Sequence, residues 1–72
     1  MTTFELGGHD YIQLNQLLKL LSLVESGGEA NQAIVLGQIK VNGQPELQKR
    51  KKLFPGDRVL FLGQEIVIVG DD

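Results

Sequence analysis

A chain of 72 residues, 42% hydrophobic, with no cysteine and a net charge of −2, has the makings of one small domain held by its apolar core. At this length only ~60% of the unfolded surface is buried, and the lack of cysteine excludes a disulfide staple or a thiolate metal site, so Leu, Ile, Val and Phe must supply the stability. The first ten residues carry Glu5 and Asp10 with no basic start or apolar run, and no apolar stretch nears the ~20 residues that span a bilayer, so a cytoplasmic protein without a membrane partner is expected.

Thr2 to Leu6 alternates polar and apolar residues, which suits a short strand ended by Gly7-Gly8. Tyr11 to Leu14 either extends that sheet or leads straight into a first helix. Asn15 is the expected N-cap of that helix, and Leu17, Leu18 and Leu21 share one face. Leu20 and Leu23 broaden the apolar surface, as for a helix packed on two sides.

Ser26 and Glu29 form an S-x-x-E capping box, which opens a second helix of about ten residues. Ala30, Ala33 and Ile34 recur at helical spacing, and Gly37 fits the left-handed position after the last turn. Beyond Gly37 the period becomes two: Ile39 and Val41 point one way, Gln38, Lys40 and Asn42 the other. Asn42-Gly43 is a hairpin signal, because both positions tolerate positive φ. Pro45 restricts the following stretch to an edge or a loop. Pro55-Gly56 fits a type II turn. Val59 to Leu62 and Glu65 to Val69 read as two strands joined by Gly63-Gln64, with a frayed tail from Gly70 to Asp72. The sum is a small α+β domain, two helices packed against a mostly antiparallel sheet, with no repeat or linker.

Charge is unevenly placed along this chain. From Gln38 to Arg58, Lys40, Lys49, Arg50, Lys51, Lys52 and Arg58 face only Glu46 and Asp57, a balance of +4; the remainder sets Lys19 against seven acids, a balance of −6. A globule of this length has a radius of gyration of about 11 Å and a diameter of roughly 28 Å, whereas physiological salt screens over about 8 Å. A ligand on the basic face therefore meets the local charge rather than the net one. The run Lys49-Arg50-Lys51-Lys52, with Lys40 on the outer face of the hairpin and Arg58 past the next turn, is expected to converge on one phosphate-binding surface. Neutralising about four phosphates would give a log–log salt slope of roughly −3 to −4.

Little else points to chemistry. His9 beside Asp10 lacks a nucleophile and oxyanion donors, and reads as a solvated loop histidine. One histidine with scattered carboxylates gives no metal-ligand spacing, so neither metal nor cofactor is expected. Gly27-Gly28 precedes a helix, but no lysine follows at phosphate-loop spacing; the pair is read as permitting close backbone packing, with an open approach to a ligand as the alternative. Phe54 adjoins the basic run and is read as a core anchor rather than a base-stacking platform. Recognition through phosphates and shape suits structured RNA, and nothing points to DNA specificity.

Leu14, Leu17 and Leu18, then Ser26, Ala30, Ile34 and Gly37, then Ile39-Lys40-Val41-Asn42-Gly43 and Gly56-Asp57-Arg58-Val59 follow one pattern. It resembles the α-L RNA-binding motif of the S4-like domain family, over residues 14–61 of a single domain spanning 1–72. Within that family it most resembles the small free-standing YbcJ-like proteins, through Phe4 to Gly7, Leu17 to Leu20, Glu25 to Gly27 and Lys40 to Gly43. The resemblance implies a bacterial, non-catalytic RNA-binding protein whose ligand is of the ribosomal or transfer RNA class. It departs from the family at Gly27 and Asn31, where basic residues are usual. The expected site is Lys40, Lys49, Arg50, Lys51, Lys52 and Arg58 on phosphates, with Asn31, Gln32 and Asn42 as neutral positioning donors. The competing reading is a protein-interaction module that keeps the fold with weak RNA affinity.

Overall fold

The alternation that begins at Ile39 decides the architecture. In the computed structural model, which describes residues 2–70, Ile39 and Val41 are buried while Lys40 faces solvent. The same register runs through Val59 and Phe61 and through Ile66 and Ile68. The elements in chain order are β1 (Thr2–Glu5), β2 (Ile12–Gln13), α1 (Leu14–Leu20), α2 (Gly27–Val35), β3 (Ile39–Val41), β4 (Gln44–Pro45), β5 (Lys52–Leu53), β6 (Arg58–Phe61) and β7 (Gln64–Val69). Five strands form one sheet in the order β1-β7-β6-β3-β4, and β2 pairs with β5 in a separate two-stranded ribbon. All pairings are antiparallel except β1 with β7, where Thr2 to Glu5 lie beside Ile66 to Val69. The α+β architecture expected from the sequence is therefore present.

Both helices pack into the buried side of the sheet. Leu14, Leu17 and Leu18 from α1 and Ala30, Ala33 and Ile34 from α2 join Ile39, Val41, Leu53, Val59, Phe61, Ile66 and Ile68 in one apolar cluster that contains no buried polar or charged residue. The two helices end in the same way. Ser22 N–H donates to the Lys19 carbonyl and Leu23 N–H to that of Leu18; Gly37 N–H donates to Ile34 and Gln38 N–H to Ala33. Each is a Schellman closure with its left-handed residue at Ser22 (φ 58°) or Gly37 (φ 74°).

Several local expectations are corrected. The N-cap of α1 is Gln13, without a side-chain bond; Asn15 lies inside the helix, and its N–H donates to the Lys49 carbonyl at 3.1 Å. The start of α1 is thus capped by main chain from a distant loop, which no local pattern encodes. The Tyr11–Leu14 stretch does both things open to it, pairing briefly as β2 before entering α1. Leu20 is 65% exposed, so α1 buries one face and not two. In the capping box, Glu29 N–H donates to Ser26 Oγ at 3.2 Å, with no return bond to the Glu29 carboxylate among the described residues.

The β6–β7 turn is Leu62-Gly63 rather than Gly63-Gln64, because Phe61 pairs with Gln64 and the two turn residues take φ of 53° and 80°. A Cβ on Gly27 or Gly28 would meet its nearest atom at 3.9 Å, ordinary contact, so close packing does not require either glycine. The expected fraying from Gly70 concerns Asp71 and Asp72, which lie outside the described residues. No helix among the described residues is long and apolar enough to cross a membrane.

Candidate nucleic-acid interface

The basic run is held in place by its main chain. It starts at Glu46, whose N–H donates to the Ile39 carbonyl and whose carboxylate accepts from Gln48 N–H at 3.1 Å. Lys49 and Arg50 then form a turn closed from Lys51 N–H to the Gln48 carbonyl. Beyond the turn, the carbonyls of Lys51 and Lys49 accept from Leu14 N–H (2.9 Å) and Asn15 N–H (3.1 Å). These amides are among the donors that a helix start leaves without an intrahelical partner. The carbonyl dipoles meet the positive end of α1. With its carbonyls turned inward, the loop presents Lys49, Arg50 and Lys52 to solvent, while Lys51 is half-buried.

Asn42 and Asp57 join the two turns that flank this loop. Asn42 takes φ 53° and Gly43 φ 85°, which gives the two-residue hairpin turn the sequence signals. Asn42 Nδ2 donates to Asp57 Oδ1 at 3.1 Å, and Asn42 Oδ1 accepts from Arg58 N–H at 2.9 Å. Asp57 Oδ2 accepts from Phe54 N–H at 2.8 Å, and Asp57 N–H closes the Pro55-Gly56 turn onto the Phe54 carbonyl at 3.0 Å. The N-G and G-D elements of the sequence pattern are thus two ends of one hydrogen-bonded brace.

Three of the cations line two grooves. Lys40 and Arg58 line one groove with Asn42, Gly43, Leu60 and Glu65, on the side of the sheet away from its core. Arg58 reaches Glu65 there at 3.8 Å, with both side chains exposed, so the pair contributes little. Lys51 lines a second groove with Val41, Asn42, Gln44, Pro45 and Glu46. The two grooves share Asn42, so the basic surface folds around the hairpin rather than lying flat.

The neutral candidates fall elsewhere or are already engaged. Both polar atoms of the Asn42 side chain are used in the brace. Gln32 lies in a groove with Leu23, Val24, Leu36, Phe61 and Leu62, and none of the candidate cations lines it. Asn31 is half-buried, with an enclosed Oδ1 that has no hydrogen-bond partner among the described residues.

Phe54 is not a core anchor. It is 48% exposed and lies against Tyr11, which is 37% exposed. Leu53, not Phe54, fills the core at this point, and its pairing with Ile12 brings Tyr11 beside Phe54, a contact between distant residues that no local pattern encodes.

Two short helices, a braced hairpin and a docked basic loop define a class: a small domain that presents cations on an apolar frame. The chain belongs to the S4 domain family, whose model matches residues 4–69. It is 45% identical over 69 residues to the Escherichia coli (strain K12) protein named "Putative RNA-binding protein YbcJ", covering 96% of this chain and 99% of that one. It is 36% identical over 54 residues to the Bacillus subtilis (strain 168) protein named "Probable ribosome maturation protein RlbA", covering 75% and 76% of the two chains. The solution structure of YbcJ from E. coli, described as revealing an α-L motif involved in RNA binding, superposes with a TM-score of 0.72 over 96% of this chain and 87% of that one.

Proposed function

We propose that this chain is a non-catalytic RNA-binding protein that holds structured RNA, of the ribosomal or transfer class, by its phosphates. The observation that carries this reading is the anchoring of Lys49 to Lys52. The main chain of the run is fixed on the α1 N-terminus, so its cations are offered without the ordering cost a free loop would incur on binding. Lys40 and Arg58 extend the positive surface around the hairpin, and Asn42 fixes the main chain of Arg58 by accepting its N–H. Similarity to two relatives, one named as an RNA-binding protein and one as a ribosome maturation protein, supports the same direction.

A mobility-shift titration against structured RNA at several salt concentrations tests it. The expected log–log slope is roughly −3 to −4, for about four neutralised phosphates. Replacing Lys49, Arg50, Lys51 and Lys52 together by Glu abolishes binding while the fold persists. Absence of binding even at low salt sinks the reading. It would favour the alternative of a protein-interaction module, for which the groove between exposed Leu36 and Leu62 is the specific support.

A further inference from the structure

The β2–β5 ribbon carries a feature that phosphate binding does not use. Ile12 pairs with Leu53 and Gln13 with Lys52. Ile12 and Leu53 turn into the core, so alternation sends their neighbours outward. Tyr11 and Phe54 flank the paired positions on opposite strands and meet with ring centroids 5.9 Å apart and planes tilted by 47°. Lys52 Nζ stands 5.0 Å from the Tyr11 centroid. The outer face of a two-stranded ribbon therefore presents two touching aromatic rings and an ammonium group, directly continuous with Lys49 to Lys51.

We propose that Tyr11 and Phe54 form a stacking site for a single unpaired nucleobase, so that the preferred ligand is an RNA helix interrupted by an unpaired nucleotide. This rests on the RNA-binding reading and narrows it. The rings already touch, so a base does not insert between them; it lies on the exposed face of Phe54 with Tyr11 as a side wall. Base and phosphate belong to one nucleotide, and the aromatic pair and the cations adjoin in the same way. Every base has a π-face, so such a site selects for being unpaired rather than for sequence. The Asp57 carboxylate fixes the Phe54 main chain at 2.8 Å, which sets the position of the ring's strand before any ligand arrives. An apolar protein partner would meet the Lys52 ammonium group at this spot, whereas a nucleotide complements both the rings and the charge.

The test compares two RNA hairpins, identical except for one bulged adenosine in the stem, by affinity and by NMR of the full chain. One Tyr and three Phe make the aromatic spectrum sparse, and buried Phe61 is an internal control. The bulged RNA is expected to bind about tenfold tighter, and to move the Tyr11 and Phe54 ring protons upfield while Phe61 stays in place. Phe54→Leu keeps apolar bulk and removes the π-face; it is expected to cost about tenfold for the bulged RNA and less than twofold for the paired one, with Tyr11→Leu acting in the same direction. Equal affinities with unmoved ring protons, or a Phe54→Leu loss equal for both RNAs, would overturn the stacking site and leave phosphate binding intact. Failure to bind either RNA overturns both readings.

Discussion

At the scale of single residues, two side chains sit in backbone conformations that oppose them. Leu62 takes φ 53° at the first position of the β6–β7 turn and is 77% exposed; Ser22 takes φ 58° at the end of α1. A left-handed conformation costs a non-glycine residue roughly 1–2 kcal/mol, less for Asn, whose short polar side chain bonds locally. The β3–β4 hairpin has the same two-residue geometry with Asn42 in that place. Leu62→Asn is therefore expected to stabilise the protein by about 1 kcal/mol, raising Tm by roughly 4–8 °C for a domain of this size. A thermal melt checks it. A Tm unchanged or lowered would mean that the exposed leucine makes contacts that outweigh its strain. The position of this turn is illegible in the sequence for the same reason: leucine disfavours positive φ, so no local signal marks Leu62 as its first residue.

Among elements, the brace of Asn42 and Asp57 carries the most consequence. Removing the Asp57 carboxylate as Asp57→Ala frees Phe54 N–H and Asn42 Nδ2 together. The expected cost is about 2 kcal/mol, at roughly 1 kcal/mol for each charge-assisted bond at an exposed site. Asn42→Gly keeps the turn and loses the side-chain bonds, for about 1–2 kcal/mol. Denaturant titration of both variants and their double should show less than additive losses, since one bond is shared; full additivity would mean that the two turns are independent. The second helix and the hairpin were legible because their signals are local: a serine cap, a glycine stop, an Asn-Gly turn. The β2–β5 ribbon, the parallel β1–β7 pair and the loop carbonyls on α1 were not, because each joins residues far apart in the chain. The cations were legible as a run, while their division around the hairpin depends on which face of the sheet each strand turns outward.

For the whole molecule, the proposed function raises the question of how an acidic protein would hold a polyanion. The described residues extend 34 × 23 × 19 Å, so the longest dimension is about four screening lengths at physiological salt. Glu5 belongs to β1, three strand intervals from β3, or roughly 14 Å. A phosphate at that distance is repelled by ~0.3 kcal/mol in unscreened water, and by a small fraction of that at physiological salt. Glu5→Gln is accordingly expected to change RNA affinity by less than twofold both at about 0.15 M salt and at about 0.01 M, where screening reaches roughly 30 Å. A large effect at the higher salt would place the RNA across the sheet instead of at the basic loop. The attachment of that loop has an evolutionary side. Leu14 and Asn15 grip carbonyl groups, which every residue type possesses, so the docking tolerates turnover of the side chains at positions 49 and 51. Lineages sharing this scaffold are free to rewrite what the loop recognises while inheriting its pose unchanged.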